Sequence, residues 1–290
     1  MSGTGAIGAA FARAAGEKRA AFVAYLTAGD PDFPTTVELA RAVAAGGADV
    51  LELGVPFSDP IADGATLQRS ASRALASGTT LDGVFSAAAE IRRATGMPLV
   101  LFSYANPLCA RGFDRVFREA RAAGFDAVLL TDVPVEESRL VLPEIRRAGL
   151  DPVFLVSPTS DSRRMREAAS RSRGFLYVVS RTGTTGEKSR LAGDLETTVA
   201  RARRATVACA RTGSSAGARA RRATVARKKN SSGRLPIAVG FGIARPEDAA
   251  RVARIADGVV VGSALVACAE RSSVAAVEAL VRELVEACRR

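Results

Sequence analysis

The chain has no histidine and no tryptophan, and only four cysteines and three tyrosines among 290 residues. Without histidine, every Ser–His or Cys–His nucleophilic mechanism is excluded. Acid–base work must fall to carboxylates, lysine, tyrosine or cysteine. Cys109, Cys209, Cys268 and Cys288 lie far apart and form no C-x-x-C pattern, so no zinc site is expected. Lysine is nearly as scarce: Lys18, Lys188, Lys228 and Lys229 are the only ones. No apolar run reaches membrane-spanning length, so no membrane helix is expected. The stretch from Met1 to Ala15 is rich in Ala and Gly and lacks a basic start followed by an apolar core. It makes a poor signal peptide, and a cytoplasmic location is the expectation.

Hydrophobic residues make up 48% of the chain, enough for a sizeable core. The length suits two ordinary domains or one α/β barrel, whose usual size is about 250 residues. The net charge of +11 suggests a polyanion partner until its distribution is read. Residues Arg201 to Arg234 hold nine Arg, two Lys and no acid, which is the whole excess. The rest of the chain balances, so the charge describes one segment and not the fold.

Eight short apolar runs recur along the chain, each followed by a helical pattern. The strands are expected at 22–27, 50–55, 98–104, 125–130, 152–156, 175–179, 236–239 and 258–261. Continuous apolar runs are what strands buried on both faces require. Helices are expected at 34–45, 66–76, 81–94, 114–123, 136–148, 161–170, from 195, 246–255 and 273–288. Asn106-Pro107 is expected to break the chain after the third strand. Eight βα units indicate a single (β/α)8 TIM barrel over residues 1–290. A doubly wound sheet would need a Gly-rich phosphate turn after the first strand, and Gly29-Asp30-Pro31 is not one.

One segment interrupts the rhythm. The octet Arg-Ala-Arg-Arg-Ala-Thr-Val-Ala occurs at 201–208 and again at 219–226. Two copies mark a local duplication, not a solenoid. Residues 205–234 read as a low-complexity, basic, disordered insertion between the sixth helix and seventh strand. It has no Phe, Tyr or Trp to stack on bases, so no nucleic acid is expected.

The stretch Leu51-Glu52-Leu53-Gly54-Val55-Pro56-Phe57-Ser58-Asp59-Pro60-Ile61-Ala62-Asp63-Gly64 organises the rest. A carboxylate inside an apolar strand must be paired, hydrogen-bonded or protonated, and Glu52 is therefore a candidate for chemistry. Asp63 reads equally as a functional carboxylate or as an N-cap of the helix from Thr66. Barrel sites lie at the C-terminal ends of the strands, with phosphate held after strands 7 and 8. Gly240-Phe241-Gly242-Ile243 and Gly262-Ser263-Ala264 occupy those two places. Glycines let backbone N–H groups approach an anion, and a following helix adds a positive field. Gly186, after strand 6, offers a third N–H. Tyr104 and Tyr177 also fall at strand ends, and Phe102, Leu129, Leu67 and Phe241 either line a flat pocket or are ordinary core. The loop from Arg181 to Gly193 holds three glycines and is expected to be a mobile lid.

The wording Glu-Leu-Gly-Val-Pro-Phe-Ser-Asp-Pro-x-Ala-Asp-Gly resembles the signature of the tryptophan synthase alpha chain family. Tyr104-Ala-Asn-Pro107, Asp132-Val-Pro-Val-Glu-Glu-Ser138, Ser180-Arg-Thr-Gly-Thr-Thr-Gly186, Gly240-Phe-Gly-Ile243 and Gly262-Ser-Ala264 resemble its later landmarks in order. The resemblance implies cleavage of indole-3-glycerol phosphate to indole and glyceraldehyde 3-phosphate. It implies that Glu52 protonates the indole carbon and accepts the hydroxyl proton, and that Asp63 binds the indole N–H. It places Tyr177 near the scissile bond and Gly186, Gly242, Gly262 and Ser263 around the phosphate. Thr185 would position Asp63 on loop closure. The family needs no metal or organic cofactor for this step. It pairs with a pyridoxal-phosphate beta chain in an alpha2beta2 tetramer, so a beta-chain partner is implied, reached through the loops after strands 2 and 3 with Pro56, Asp59 and Asn106 as candidates. Thr131 stands where a small apolar residue is common in the family.

Two other readings fit parts of the sequence. A barrel acting on another sugar phosphate would often use a Schiff-base lysine, and no lysine falls in an expected strand. A noncatalytic barrel binding nucleic acid through its basic segment would show a salt-dependent DNA shift.

Overall fold

A computed structural model describes residues 5–180, 195–215 and 234–290 except Phe241, with side chains in the 195–215 helix described to Cys209. Its sheet comprises β1 (Ala21–Thr27), β2 (Val50–Gly54), β3 (Leu99–Ser103), β4 (Ala127–Leu130), β5 (Asp151–Val153), β6 (Leu155–Val156), β7 (Leu176–Val179), β8 (Ile237–Gly240) and β9 (Gly258–Val261). Their order is β5-β4-β3-β2-β1-β9-β8-β7-β6, and every paired strand is parallel. Only Phe154 separates β5 from β6, so these are two halves of one barrel strand. The first half pairs with β4 and the second with β7, and the Tyr177 N–H donates to the Phe154 carbonyl at 3.1 Å. The sheet thereby closes into the expected eight-stranded barrel.

Side chains alternate across each strand. Val23 and Tyr25, Val50, Val100 and Phe102, and Leu129 face the barrel interior in one buried cluster. Their neighbours Ala24, Leu51, Leu53, Leu99 and Leu101 join the cluster between strands and helices. By that parity Glu52 points inward, because Leu51 and Leu53 point out.

The helices are α1 (Ala6–Gly16), α2 (Phe33–Ala45), α3 (Ala65–Ala76), α4 (Leu81–Thr95), α5 (Ala105–Cys109), α6 (Phe113–Ala122), α7 (Leu142–Arg147), α8 (Ser162–Arg171), α9 (Leu195–Ser215), α10 (Pro246–Ile255), α11 (Ser263–Arg271) and α12 (Val274–Ala287). Four differ from the sequence reading, one of them α11, which forms where no helix was expected. The Ala/Gly-rich start folds as α1, whose Ile7, Ala10, Phe11 and Ala14 join the interior cluster. Phe11 stacks on Phe175 with ring centroids 5.5 Å apart, so α1 closes the N-terminal end of the barrel. Asn106-Pro107 does not break the chain but sits in the first turn of α5, where a missing N–H costs no helix bond. The helix expected over 136–148 is a 3-10 helix, Val135–Leu140, followed by α7 with Pro143 in its first turn. Proline lacks the N–H and crowds the preceding turn, so one continuous helix cannot form.

α9 runs to Ser215, so the first part of the 205–234 segment has a helical backbone. Ala205 and Thr206 are buried. At the far edge, Arg234 pairs with Asp257 through bonds of 2.8 and 2.9 Å. Residues 216–233, which include the second octet, lie outside the described residues.

The N-terminal end of the barrel is tied by aspartates, Asp49 and Asp126 buried and Asp257 partly so. Asp49 accepts the Phe22 N–H at 2.8 Å and two bonds from Arg19. Asp126 accepts from the Leu99 N–H and Arg92, and Asp257 from the Ile237 N–H and Arg234. Each holds an N–H at the start of a neighbouring strand with a charge-assisted bond, leaving the opposite end for chemistry.

Candidate active site

Glu52 stands in β2 in register with Tyr25 of β1 and Val100 of β3. It is 1% exposed, and its Oε1 has no hydrogen-bond partner among the described residues. Loss of solvent disfavours the charged form, and burial pushes its carboxyl up to about 8. Glu52 therefore holds a proton near neutrality.

Asp63 sits on the loop just before α3, also buried. The N-cap of α3 is Gly64, with no side-chain capping bond. The Asp63 carboxylate instead accepts from Tyr104 Oη at 3.2 Å. Tyr104 Oη in turn accepts from the Ala62 N–H at 3.0 Å, which holds the phenol proton toward the carboxylate. Burial raises the Asp63 carboxyl to about 6, and the Tyr104 bond pulls against that rise. At neutral pH the two carboxyls thus occupy different states, one protonated and one ionised. That separation is how a site runs acid and base roles together.

Tyr177 in β7 is buried, and its phenol is held well above its ordinary value, first by burial and then by the charges of Glu52 and Asp63. A Cβ on Gly240 would lie 2.1 Å from Tyr177 Oη, so the absence of a side chain there lets the ring pass. The residue that sequence reasoning missed is Tyr25. Its phenol is likewise raised by burial, then by Asp63, with a smaller contribution from Glu52. A Cβ on Gly54 would lie 2.2 Å from its Oη, and Phe102 meets its ring edge-on at 5.1 Å. Tyr25 lies in an apolar run that reads as core, and only its register opposite Glu52 sets it apart. All three tyrosines of the chain thus surround the two carboxylates. Phe102, Leu129 and Leu67 are buried in the same cluster as Tyr25 and Tyr177.

The glycine turns close the other side. Gly242 follows β8 with φ +80°, a left-handed conformation that suits glycine. Gly262 follows β9 and caps α11, whose first residue is Ser263. The first N–H groups of a helix have no partner within it and carry a partial positive charge. Gly262 also abuts Tyr25, since a Cβ there would lie 3.3 Å from that side chain. The order β8-β9-β1-β2 therefore sets these glycine turns beside Tyr25 and Tyr25 beside Glu52. Thr185, Gly186, Phe241 and the 181–193 loop lie outside the described residues. Among the described residues no cluster of Asp, Glu or Cys could hold a metal ion, and no helix is long and apolar enough to cross a membrane. A protonated acid and an ionised carboxylate among buried apolar side chains, with backbone N–H groups at a helix start nearby, suit proton transfer on a flat anionic substrate.

Comparison with known proteins gives one answer. The profile of the family described as tryptophan synthase alpha chain matches residues 11–216 and 207–289. The two matched stretches overlap inside the basic segment. A tryptophan synthase alpha chain from Solibacter usitatus is 43% identical over 273 residues, covering 92% of each chain. One from Geobacter sulfurreducens is 42% identical over 283 residues, covering 98% of this chain and 97% of the relative. A solved Mycobacterium tuberculosis tryptophan synthase chain superposes with a TM-score of 0.83 at 32% identity, over 98% of both chains. The tryptophan synthase alpha subunit of Legionella pneumophila gives 0.77 at 32% identity, over 99% of this chain and 98% of that one.

Proposed function

Because the chain belongs to the tryptophan synthase alpha chain family, the lyases that cleave indole-3-glycerol phosphate in tryptophan biosynthesis, we propose that Glu52 and Asp63 carry that cleavage here. Glu52 delivers its proton to the ring carbon that bears the glycerol side chain. The ring becomes a cationic indolenine, and Asp63 faces the N–H that carries the charge. The side-chain hydroxyl then returns a proton to Glu52. Its O–H electrons form the aldehyde C=O, and the carbon–carbon pair refills the ring. Indole and glyceraldehyde 3-phosphate leave, and Glu52 is again protonated.

The observation that carries this reading is the pair of buried carboxyls lifted to different values, about 8 for Glu52 and about 6 for Asp63. A fixed anion facing a developing cation in a dry site is among the strongest catalytic effects available. Tyr177 and Tyr25 flank the scissile region, and Tyr104 orients Asp63. Phe102, Leu67 and Leu129 hold the ring. Gly242, Gly262 and Ser263 take the phosphate, and the family likeness adds Gly186 to that role, Phe241 to the ring pocket and Thr185 to the positioning of Asp63. The family generally needs no cofactor for this step, and we extend that to this chain, with pyridoxal phosphate on a partner beta chain. The partner docks on the mouth loops at Pro56, Asp59 and Asn106, in an alpha2beta2 tetramer in the cytoplasm. The exposed Ile61, in the same loop as Asp59, suits such a contact. The test is indole release from indole-3-glycerol phosphate, with and without a beta chain. Glu52→Gln must reduce it to no more than a few per cent.

A further inference from the structure

Two helices reach the mouth with their N-terminal ends and are joined near their far ends. α3 begins two residues after Asp63, and Gln68 Nε2 on it donates to the Asp63 carbonyl at 2.9 Å. α11 begins at the proposed phosphate turn, Gly262-Ser263. Leu67 of α3 and Val266 of α11 belong to one buried cluster, and Ser70 of α3 bonds Thr27 at the end of β1 at 2.8 Å.

Further along α3, Arg73 uses three nitrogens. Nε and Nη2 grip both oxygens of Asp30, in the loop after β1, at 2.8 Å each. Nη1 reaches Glu270 Oε1, near the end of α11, at 2.7 Å. Arg69 adds bonds of 3.4 and 3.3 Å to the two Glu270 oxygens. Asp30 is only 9% exposed. A planar guanidinium gripping one carboxylate with two nitrogens and a second with the third fixes direction as well as distance. At 1.5 Å per residue, this junction lies about 12 Å along α3 from Ala65 and about 10 Å along α11 from Ser263. Packed together in the middle and pinned at one end, the two N-termini cannot shift independently.

We propose that Arg73 is a positioning residue: through Glu270 it locks α3 to α11, so that phosphate bound at the start of α11 fixes Asp63 against the indole N–H. This rests on the reading given under Proposed function. Binding energy from a non-reacting phosphate raises kcat only when it is transmitted to the reacting end. A misplacement of about 1 Å there can cost about 100-fold.

The test compares indole-3-glycerol phosphate with its dephosphorylated counterpart in the wild type, Glu270→Gln and Arg73→Lys. Far-UV circular dichroism and thermal midpoints serve as fold controls. Glu270→Gln leaves the Arg73–Asp30 fork in place. For the phosphorylated substrate its kcat should fall about tenfold while KM changes less than about threefold. Cleavage of the dephosphorylated substrate should stay within about twofold of wild type. The double variant should lose no more than the worse single one, because the two residues act as a unit. A binding measurement covers the case of an unmeasurably slow dephosphorylated substrate. Inorganic phosphate should tighten indole binding by about threefold or more in the wild type and not in Glu270→Gln. Equal losses on both substrates, or equal tightening in both proteins, overturn the proposal. Failure of the underlying reading shows separately, as a wild type that releases no indole.

Discussion

Replacing Glu52 by Gln is expected to abolish turnover and, at alkaline pH, to make the protein harder to unfold. Burial lifts the Glu52 carboxyl from its ordinary 4.5 to about 8. Over that interval the folded chain keeps a proton that the unfolded chain has released. Where the folded state binds more protons, stability falls as pH rises. The penalty is absent below about 4.5, grows up to about 8 and is constant above. At ~1.36 kcal/mol per pH unit, the plateau is about 4–5 kcal/mol. Gln keeps the size and never ionises. Its buried amide carries a constant cost for unpaired groups, so the informative quantity is the pH dependence of the difference. Urea unfolding of both proteins at about pH 5 and about pH 8.5 measures it. The gap should move by about 3–4 kcal/mol in favour of the variant. Asp63 is raised in both proteins and largely cancels. A gap that does not change with pH would show that Glu52 holds no buried proton, and its role as proton donor would fall with it.

Asp63→Asn keeps an acceptor but loses the charge, so kcat should drop far more than KM rises; a change in KM alone would reduce Asp63 to a binding group. Tyr104→Phe removes the bond that opposes the rise of the Asp63 carboxyl. The acid limb of the kcat/KM profile should therefore move to higher pH, and an unmoved limb would refute the role given to Tyr104. Gly240→Ala places a Cβ against Tyr177 Oη and should cost about 1–3 kcal/mol of stability by overpacking, seen as a lower thermal midpoint. Replacing residues 216–232 with a short Gly/Ser linker should leave lyase activity near wild type and remove most retention on anionic resin. Lost activity would tie the basic segment to the barrel.

The barrel was legible because strands buried on both faces are continuous apolar runs. β9 and α10 fall on their expected bounds, Gly258–Val261 and Pro246–Ile255. The split at Phe154 was not legible, because one apolar run gives no sign that its two halves choose different partners. Strand pairing is set by the whole sheet. α1 escaped notice because Ala and Gly carry little signal, although Ile7, Ala10, Phe11 and Ala14 have helical spacing. Pro143 was visible, and its effect on the 136–148 helix follows from its missing N–H. Glu52 stood out as a lone charge in a strand. Asp63 reads evenly as cap or as chemistry from the sequence, because the bond that decides its role comes from Tyr104, distant along the chain. Tyr25 was hidden among apolar residues that share its strand.

The plug formed by α1 bears on traffic through the molecule. Phe11 seated on Phe175, with Ile7, Ala10 and Ala14 around it, seals the barrel opposite the carboxylates. Buried aliphatic and aromatic side chains occupy the layers above, and protein interiors are close-packed. Among the described residues this plug leaves an uncharged, membrane-permeant product such as indole no rear exit. It departs by the aperture through which its precursor entered, so a protein docked on that aperture would decide whether it reaches solvent or is handed on.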